Sequence, residues 1–233
     1  MNVENAVAFV TGANRGFGLA LVKELLARGA KKVYAGMRNT EGFSMPGVVP
    51  VKLDVTNPEQ IAAAAAQCGD TNLLINNAGI ALFGGYLEAN SLETTRAIFE
   101  TNFFGPILIS QAFAPVLKAN GGGAIINILS VASWIARPVL APYAASKSAA
   151  WSFTNALRLE LLEQGTQVMG LHVGFMDTDM TVDIDFPKVS PVDVAKATLD
   201  GLEAGAYEVL ADEITRAVKN GLVAEPAIYA VPR

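Results

Sequence analysis

Seven short runs of β-branched and aliphatic residues recur along the chain, at 6–10, 32–36, 49–53, 72–76, 124–129, 167–173 and 207–210. Between them lie stretches with apolar residues at helical spacing, near 17–28, 57–68, 91–118, 142–164, 191–204 and 211–222. Strand and helix in regular alternation predict a parallel sheet built from crossover units. The run Ala124-Ile125-Ile126-Asn127-Ile128-Leu129 is apolar on both sides rather than alternating, so both faces of its strand must be covered. The expected architecture is α/β, a doubly wound parallel sheet of about seven strands with helices on both faces. The second crossover, 39–47, contains Gly42, Pro46 and Gly47 and leaves room for a turn or one helical coil only. No repeat, low-complexity tract or linker interrupts the pattern, and residues 1–233 read as a single domain.

Composition narrows the class. A chain of 233 residues, 52% hydrophobic and 17% charged, is long enough for one substantial core and too apolar for disorder. Its net charge of −5 weighs against a nucleic-acid partner. One cysteine, Cys68, and one histidine, His172, provide neither an internal disulfide nor a metal-ligand set, so no metal and a reducing compartment are expected. The start MNVENAVAFV lacks a basic n-region and a cleavage site and reads as the first strand with a short lead, which predicts a cytoplasmic protein. The uncharged stretch 119–136 holds three glycines, Asn120, Asn127, Ser130 and Ser133, which hydrocarbon would not tolerate; no membrane partner is expected.

Two clusters carry chemistry. The string TGANRGFG at 11–18 joins the first strand run to the first helical run. Gly12 allows the sharp turn, Gly16 removes a side chain where phosphate oxygens approach, and Gly18 permits close helix–sheet packing, with Asn14, Arg15 and Phe17 filling the turn. The N–H groups of the following helix then face the anion. The second cluster is Ser130 at a strand end and Tyr143 and Lys147 in Y-A-A-S-K. Tyr143 and Lys147, at i and i+4, share one helix face. Bringing a phenol that ionises near pH 10 down to neutrality takes about 4 kcal/mol, and an ammonium ~4 Å away at an effective dielectric near 20 supplies that much. Open α/β sheets place ligands at strand C-termini, where Ser130 would hold a carbonyl oxygen. Ser133, the rival serine, reads better as a loop or turn-capping residue.

TGANRGFG, NNAG at 76–79, Ser130 thirteen residues before Tyr143, and YAASK at 143–147 fall in order over nearly the whole chain, and together they resemble the short-chain dehydrogenase/reductase family. The resemblance implies the doubly wound, nicotinamide-binding Rossmann fold and hydride transfer at a carbonyl carbon. It implies Ser130, Tyr143, Lys147 and Asn102 as the catalytic set, the backbone carbonyl of Asn102 holding a water that links Lys147 to solvent. Asp54 in L-D-V-T would hold the adenine with Val55 beside it. Asn77, Ala78 and Gly79 would pass beneath the adenosine ribose, while Asn76 braces the sheet. In the stretch LHVGFMDTDM at 171–180, Gly174, Met176 and Thr178 would close on the nicotinamide, although Val173 stands where the family usually has proline. His172 belongs to the strand pattern and reads as structural.

Cofactor choice follows from the end of the second strand, where Met37 occupies the position of the acid that accepts from a ribose 2′-hydroxyl, and Arg38 follows. Arg38 and Arg15 converging on one point need an anion between them, which favours NADP(H) through its 2′-phosphate. The expected activity is NADPH-dependent reduction of a ketone or aldehyde, equally alcohol oxidation in reverse. The alternative from another class is a non-catalytic NADP(H)-binding regulatory protein, whose usual sign, a broken Ser/Tyr/Lys set, is absent. Trp134, Ile135, Leu140, Phe83, Phe175 and Met180 suggest an apolar mouth and a hydrophobic carbonyl or alcohol substrate. The long helical patterns at 91–118 and 142–164 carry more than one apolar stripe, including Ile98, Phe99, Phe103, Phe104, Ala112, Phe113, Trp151, Phe153, Ala156 and Leu157, so a homodimer or homotetramer is expected.

Overall fold

The computed structural model describes residues 1–230. Its strands are β1 (Val7–Thr11), β2 (Lys32–Met37), β3 (Val48–Lys52), β4 (Leu73–Asn76), β5 (Ala124–Ile128), β6 (Gln167–His172) and β7 (Glu208–Leu210). All pair in parallel, in the order β3-β2-β1-β4-β5-β6-β7. The helices are α1 (Gly16–Ala27), α2 (Pro58–Gln67), α3 (Ser91–Phe99), α4 (Gly105–Ala119), α5 (Ala141–Glu160), α6 (Pro191–Glu203) and α7 (Glu213–Gly221). Each of the seven apolar runs is a strand, and β2 passes to β3 through a turn with no helix.

Strand pleating divides the apolar residues between two cores. Ala8, Val10, Leu73, Ile75 and Ile126 face α1 and α6, whereas Val7, Phe9, Leu74 and Ile125 face α2, α4 and α5. The chain winds outward from β1 to β3, then returns to build β4 to β7 on the other side, so β1 and β4 are neighbours at the reversal. Loops leaving these two strands diverge there and leave a crevice.

The pattern at 91–118 is two helices rather than one. Glu100–Phe104 forms a π-helical turn between α3 and α4, with Gly105 N–H donating to the Glu100 carbonyl. Pro106 gives the reason: it has no N–H for the Asn102 carbonyl four residues back, so regular α-helix is interrupted there. Of the apolar residues on these helices, Ile98 and Phe113 are fully buried and Leu157 nearly so, while Phe104 is exposed, as are Leu159 and Leu162 near the end of α5. No helix among the described residues is long and apolar enough to cross a membrane.

Gly18 packs α1 tightly against the turn that follows β1. A Cβ there would collide with the Gly12 carbonyl oxygen and stand 2.6 Å from Asn77 Nδ2. Gly18→Ala is expected to cost about 1–3 kcal/mol, as overpacking does, and to lower the thermal midpoint; an unchanged midpoint would contradict this packing.

Candidate active site

The Gly12 turn follows β1 directly, and its φ of +66° suits glycine. Thr11 ties the turn to the neighbouring strand end: its hydroxyl accepts from Asn77 N–H at 3.0 Å and Ala78 N–H at 2.9 Å. The Asn77 amide donates back to the Thr11 and Gly12 carbonyls at 2.8 and 3.2 Å. The two loops at the crevice are therefore one hydrogen-bonded unit. Gly79 lies against Asn102, whose Oδ1 would be 3.3 Å from a Cβ there. Asn14, Arg15 and Gly16 are exposed, and Phe17 turns into the core.

Helix α1 begins beyond this turn with no side-chain cap and no acidic residue in its first turn. By contrast, Asn57, Ser190 and Asp212 cap α2, α6 and α7. Open N–H groups, a glycine-lined approach and the helix dipole fit a phosphate-bearing ligand. Thr178 stands over the turn, its Cβ 3.7 Å from where a Gly16 Cβ would lie.

Other sequence-derived candidates ring the crevice. Met37, at the end of β2, is 2% exposed and points inward, so no polar side chain other than Arg38, which is exposed, follows the strand directly into solvent before Asn39. Arg15 pairs with Asp179 at 2.7 Å, both side chains being largely exposed. Asp54 uses Oδ1 to accept from Thr56 N–H at 2.9 Å and Oγ1 at 2.7 Å, contacts that hold its carboxyl below the usual range. Val55 is buried against Gly105. Gly174 donates its N–H to Asp212 Oδ2 at 2.6 Å, and Oδ1 of the same carboxylate caps α7. Met176 forms a bridge with Val189, and its carbonyl accepts from the Thr181 hydroxyl.

Ser130, Tyr143 and Lys147 meet at the C-terminal end of β5. Ser130 is extended and 7% exposed, and its hydroxyl accepts from Ala132 N–H at 3.1 Å. Ser133 completes the reciprocal cap of this turn, its hydroxyl accepting from Ser130 N–H at 3.3 Å. The Tyr143 phenol faces the Ser130 hydroxyl; burial pushes its pKa up, and the serine pulls only partly the other way. Lys147 is 6% exposed and donates to the Ile128 carbonyl at 2.7 Å. Burial brings it down to about 8. Nζ lies 5.8 Å from the Tyr143 ring centroid, and burial is the largest influence on the phenol.

Asn102 sits in the π-turn, where its side chain clamps Ile80 by accepting from N–H at 2.8 Å and donating to the carbonyl at 2.9 Å. It also donates to Ser146 Oγ at 3.2 Å, and Ser146 donates to the Tyr143 carbonyl at 2.7 Å. Thr11, Ser146 and Asp212 were not singled out in the sequence. Asp212-Glu-Ile-Thr has the spacing of an N-cap, but its reach to Gly174 is long-range and leaves no local signal.

Apolar side chains flank the cleft unevenly. Phe83, Tyr86, Val139 and Met180 are exposed, and Tyr86 donates to the Ala141 carbonyl at 3.1 Å, two residues before Tyr143. Phe175 packs edge-on against Phe186. Trp134 turns away to stack on His172, ring centroids 3.9 Å apart.

Comparison with known proteins agrees with this geometry. A profile described as short chain dehydrogenase matches residues 6–187. Dehydrogenase/reductase SDR family member 7B of Bos taurus is 33% identical over 199 residues, covering 77% of this chain and 61% of that protein, so this chain spans less than two thirds of that relative. Gluconate 5-dehydrogenase of Gluconobacter oxydans (strain 621H) is 36% identical over 193 residues, 77% of this chain and 75% of that protein. A short chain dehydrogenase from Burkholderia cenocepacia J2315, solved in complex with NADP, superimposes with a TM-score of 0.94 at 42% identity over 100% of both chains. With the matched profile covering most of its length, the chain belongs to the short-chain dehydrogenase/reductase family.

Proposed function

We propose that this protein is a cytoplasmic, NADPH-dependent reductase of hydrophobic ketones or aldehydes. The observation that carries the reading is the meeting of Ser130, Tyr143 and Lys147 at the end of β5, in the same crevice edge as the uncapped N-terminus of α1. The first turn of α1 would hold the pyrophosphate, with Asn14, Gly16 and Thr178 around it. Asp54 retains Oδ2 for the adenine amine, and Asn77, Ala78 and Gly79 form the floor under the ribose. Bound there, NADPH supplies a hydride to the carbonyl carbon.

The residues of the chain do the rest. Ser130 orients the carbonyl oxygen, and Tyr143 donates a proton to the alkoxide that develops. A phenol whose pKa is raised remains protonated at neutral pH, and an alkoxide is still far more basic, so the transfer runs downhill in the reductive direction. Lys147 places positive charge beneath the site and binds ribose hydroxyls. Asn102 offers a backbone carbonyl that Pro106 has left without its ordinary helical donor, a place for the water that links Lys147 to solvent. Gly174, Met176 and Thr178 close on the carboxamide. The exposed Phe83, Tyr86, Val139 and Met180 favour an apolar carbonyl body.

Discrimination for NADP(H) rests on Arg38, because no carboxylate ends β2 and Arg15 must first leave Asp179. One charge-assisted contact to a 2′-phosphate gives a preference of about tenfold or more over NADH. Fluorescence titration of both cofactors checks this, with Arg38→Ala expected to abolish the difference; equal affinities in the unmodified protein would contradict it.

Tyr143→Phe tests the chemistry. With a panel of aryl ketones and aldehydes followed by NADPH absorbance, kcat is expected to fall by about 10²–10⁴ while NADPH affinity stays the same. Activity within about tenfold of the unmodified protein would remove Tyr143 from its role.

A further inference from the structure

The one histidine of the chain lies directly behind Ser130, fully buried. His172 Nδ1 is 3.0 Å from the Ser130 carbonyl oxygen, and Nε2 faces Glu208 Oε1 at 3.4 Å. Glu208 is itself held by Lys219, whose Nζ lies 3.0 and 2.9 Å from its two oxygens. Trp134 stacks on the imidazole at 3.9 Å, and Lys219 sits 4.6 Å from the centre of the same indole. Elements β6, β7, α7 and the turn after β5 thus converge on one ring.

This arrangement fixes the proton. The Ser130 carbonyl is an acceptor only, so Nδ1 must carry a hydrogen; a lone pair there would oppose the oxygen at contact distance. Glu208 faces the other nitrogen at 3.4 Å without a hydrogen bond to it, and its carboxyl is held down at about 2 by His172 and then Lys219 against the opposing effect of burial. The Ser130 carbonyl accepts from Ser133 N–H at 2.9 Å within its turn, and its second lone pair is left to Nδ1, since the ladder bonds beside it run from Leu129 and Val131 N–H to the Leu171 and Val173 carbonyls.

We propose that His172 is a positioning residue for catalysis: its Nδ1–H, with the ring held flat against Trp134, holds the Ser130 backbone so that the serine hydroxyl meets Tyr143 and the substrate carbonyl. This rests on the reading of Ser130 as the residue that orients the carbonyl. A histidine that merely filled the core would be replaced well by phenylalanine, which keeps the volume and the stack on Trp134. A histidine that acts through Nδ1–H is replaced better by asparagine, whose amide places an N–H near the same point and leaves a void beyond it.

Two measurements test it. In tag-free protein carrying ¹⁵N-labelled histidine, long-range ¹H–¹⁵N spectra across the neutral range show only His172, and Nδ1 is expected to be protonated throughout. An unprotonated Nδ1 would overturn the assignment whatever the enzyme's activity. Kinetically, His172→Phe is expected to be the more stable variant and to lose between about ten- and a hundredfold in kcat, as a slightly misplaced reacting group does. His172→Asn is expected to melt lower yet stay within about threefold of the unmodified kcat, and both variants bind NADPH unchanged. Activity that follows stability, with Phe at or above Asn, would leave His172 a packing residue. An unmodified protein that reduces no carbonyl counts against the proposed function, while the nitrogen spectrum still decides the hydrogen bond.

Discussion

A single buried cation sets the geometry of the site. Lys147 brings an ammonium into the seam between α5 and β5 and gives it the Ile128 carbonyl at 2.7 Å. That bond fixes the height and rotation of α5, so Tyr143, one turn earlier, comes to rest over Ser130. The arrangement is costly. Because the folded value, about 8, lies below the ordinary 10.5, the charged side chain is disfavoured in the fold by about 3 kcal/mol. The penalty is fully present below about 8 and is relieved as pH rises toward 10.5. A fold that keeps such a group has stability elsewhere to offset it, and the two apolar cores sandwiching the sheet are where that stability resides.

Buried amides and hydroxyls make the surroundings of that lysine rigid. Asn76 donates to Asn127 Oδ1 at 2.8 Å and to Ser110 Oγ at 3.1 Å, and Asn127 donates to Thr154 Oγ1 at 2.9 Å, linking β4, β5, α4 and α5 through one polar chain. The Asn102–Ser146 link joins the π-turn to the first turn of α5. Thr11 and Asn77 lock the glycine turn to the end of β4. The ends of β1, β4 and β5 are thereby tied to neighbours, and the segment after β6 is held by Asp212 and Val189, with the solvent-exposed Arg15–Asp179 pair at its margin worth little.

The sheet was legible because parallel strands covered on both faces must be written in continuous apolar runs, as Ala124–Ile128 is. The missing second crossover helix was equally plain from Gly42, Pro46 and Gly47. Ser133 as a turn cap and Asn76 as a brace followed from local position, since short polar side chains at strand ends find backbone or sheet partners nearby. What was not legible depends on distance. The pairing of Arg15 with Asp179 spans 164 residues, and Gly174 meets Asp212 across 38. The Asn77 side chain turned out to brace the glycine turn, a role that spacing alone does not reveal. The π-turn could have been inferred from Pro106 one turn after Asn102, but an apolar helical period hides a single inserted residue.

The pH dependence of kcat for carbonyl reduction tests the central claim most directly. If the charge on Lys147 organises the site, the rate must fall as pH rises through about 8, where the buried ammonium loses its proton. Tyr143, raised by burial, would still be a phenol at that point. A rate that holds level through about 8 and declines only where a raised phenol ionises would contradict the account.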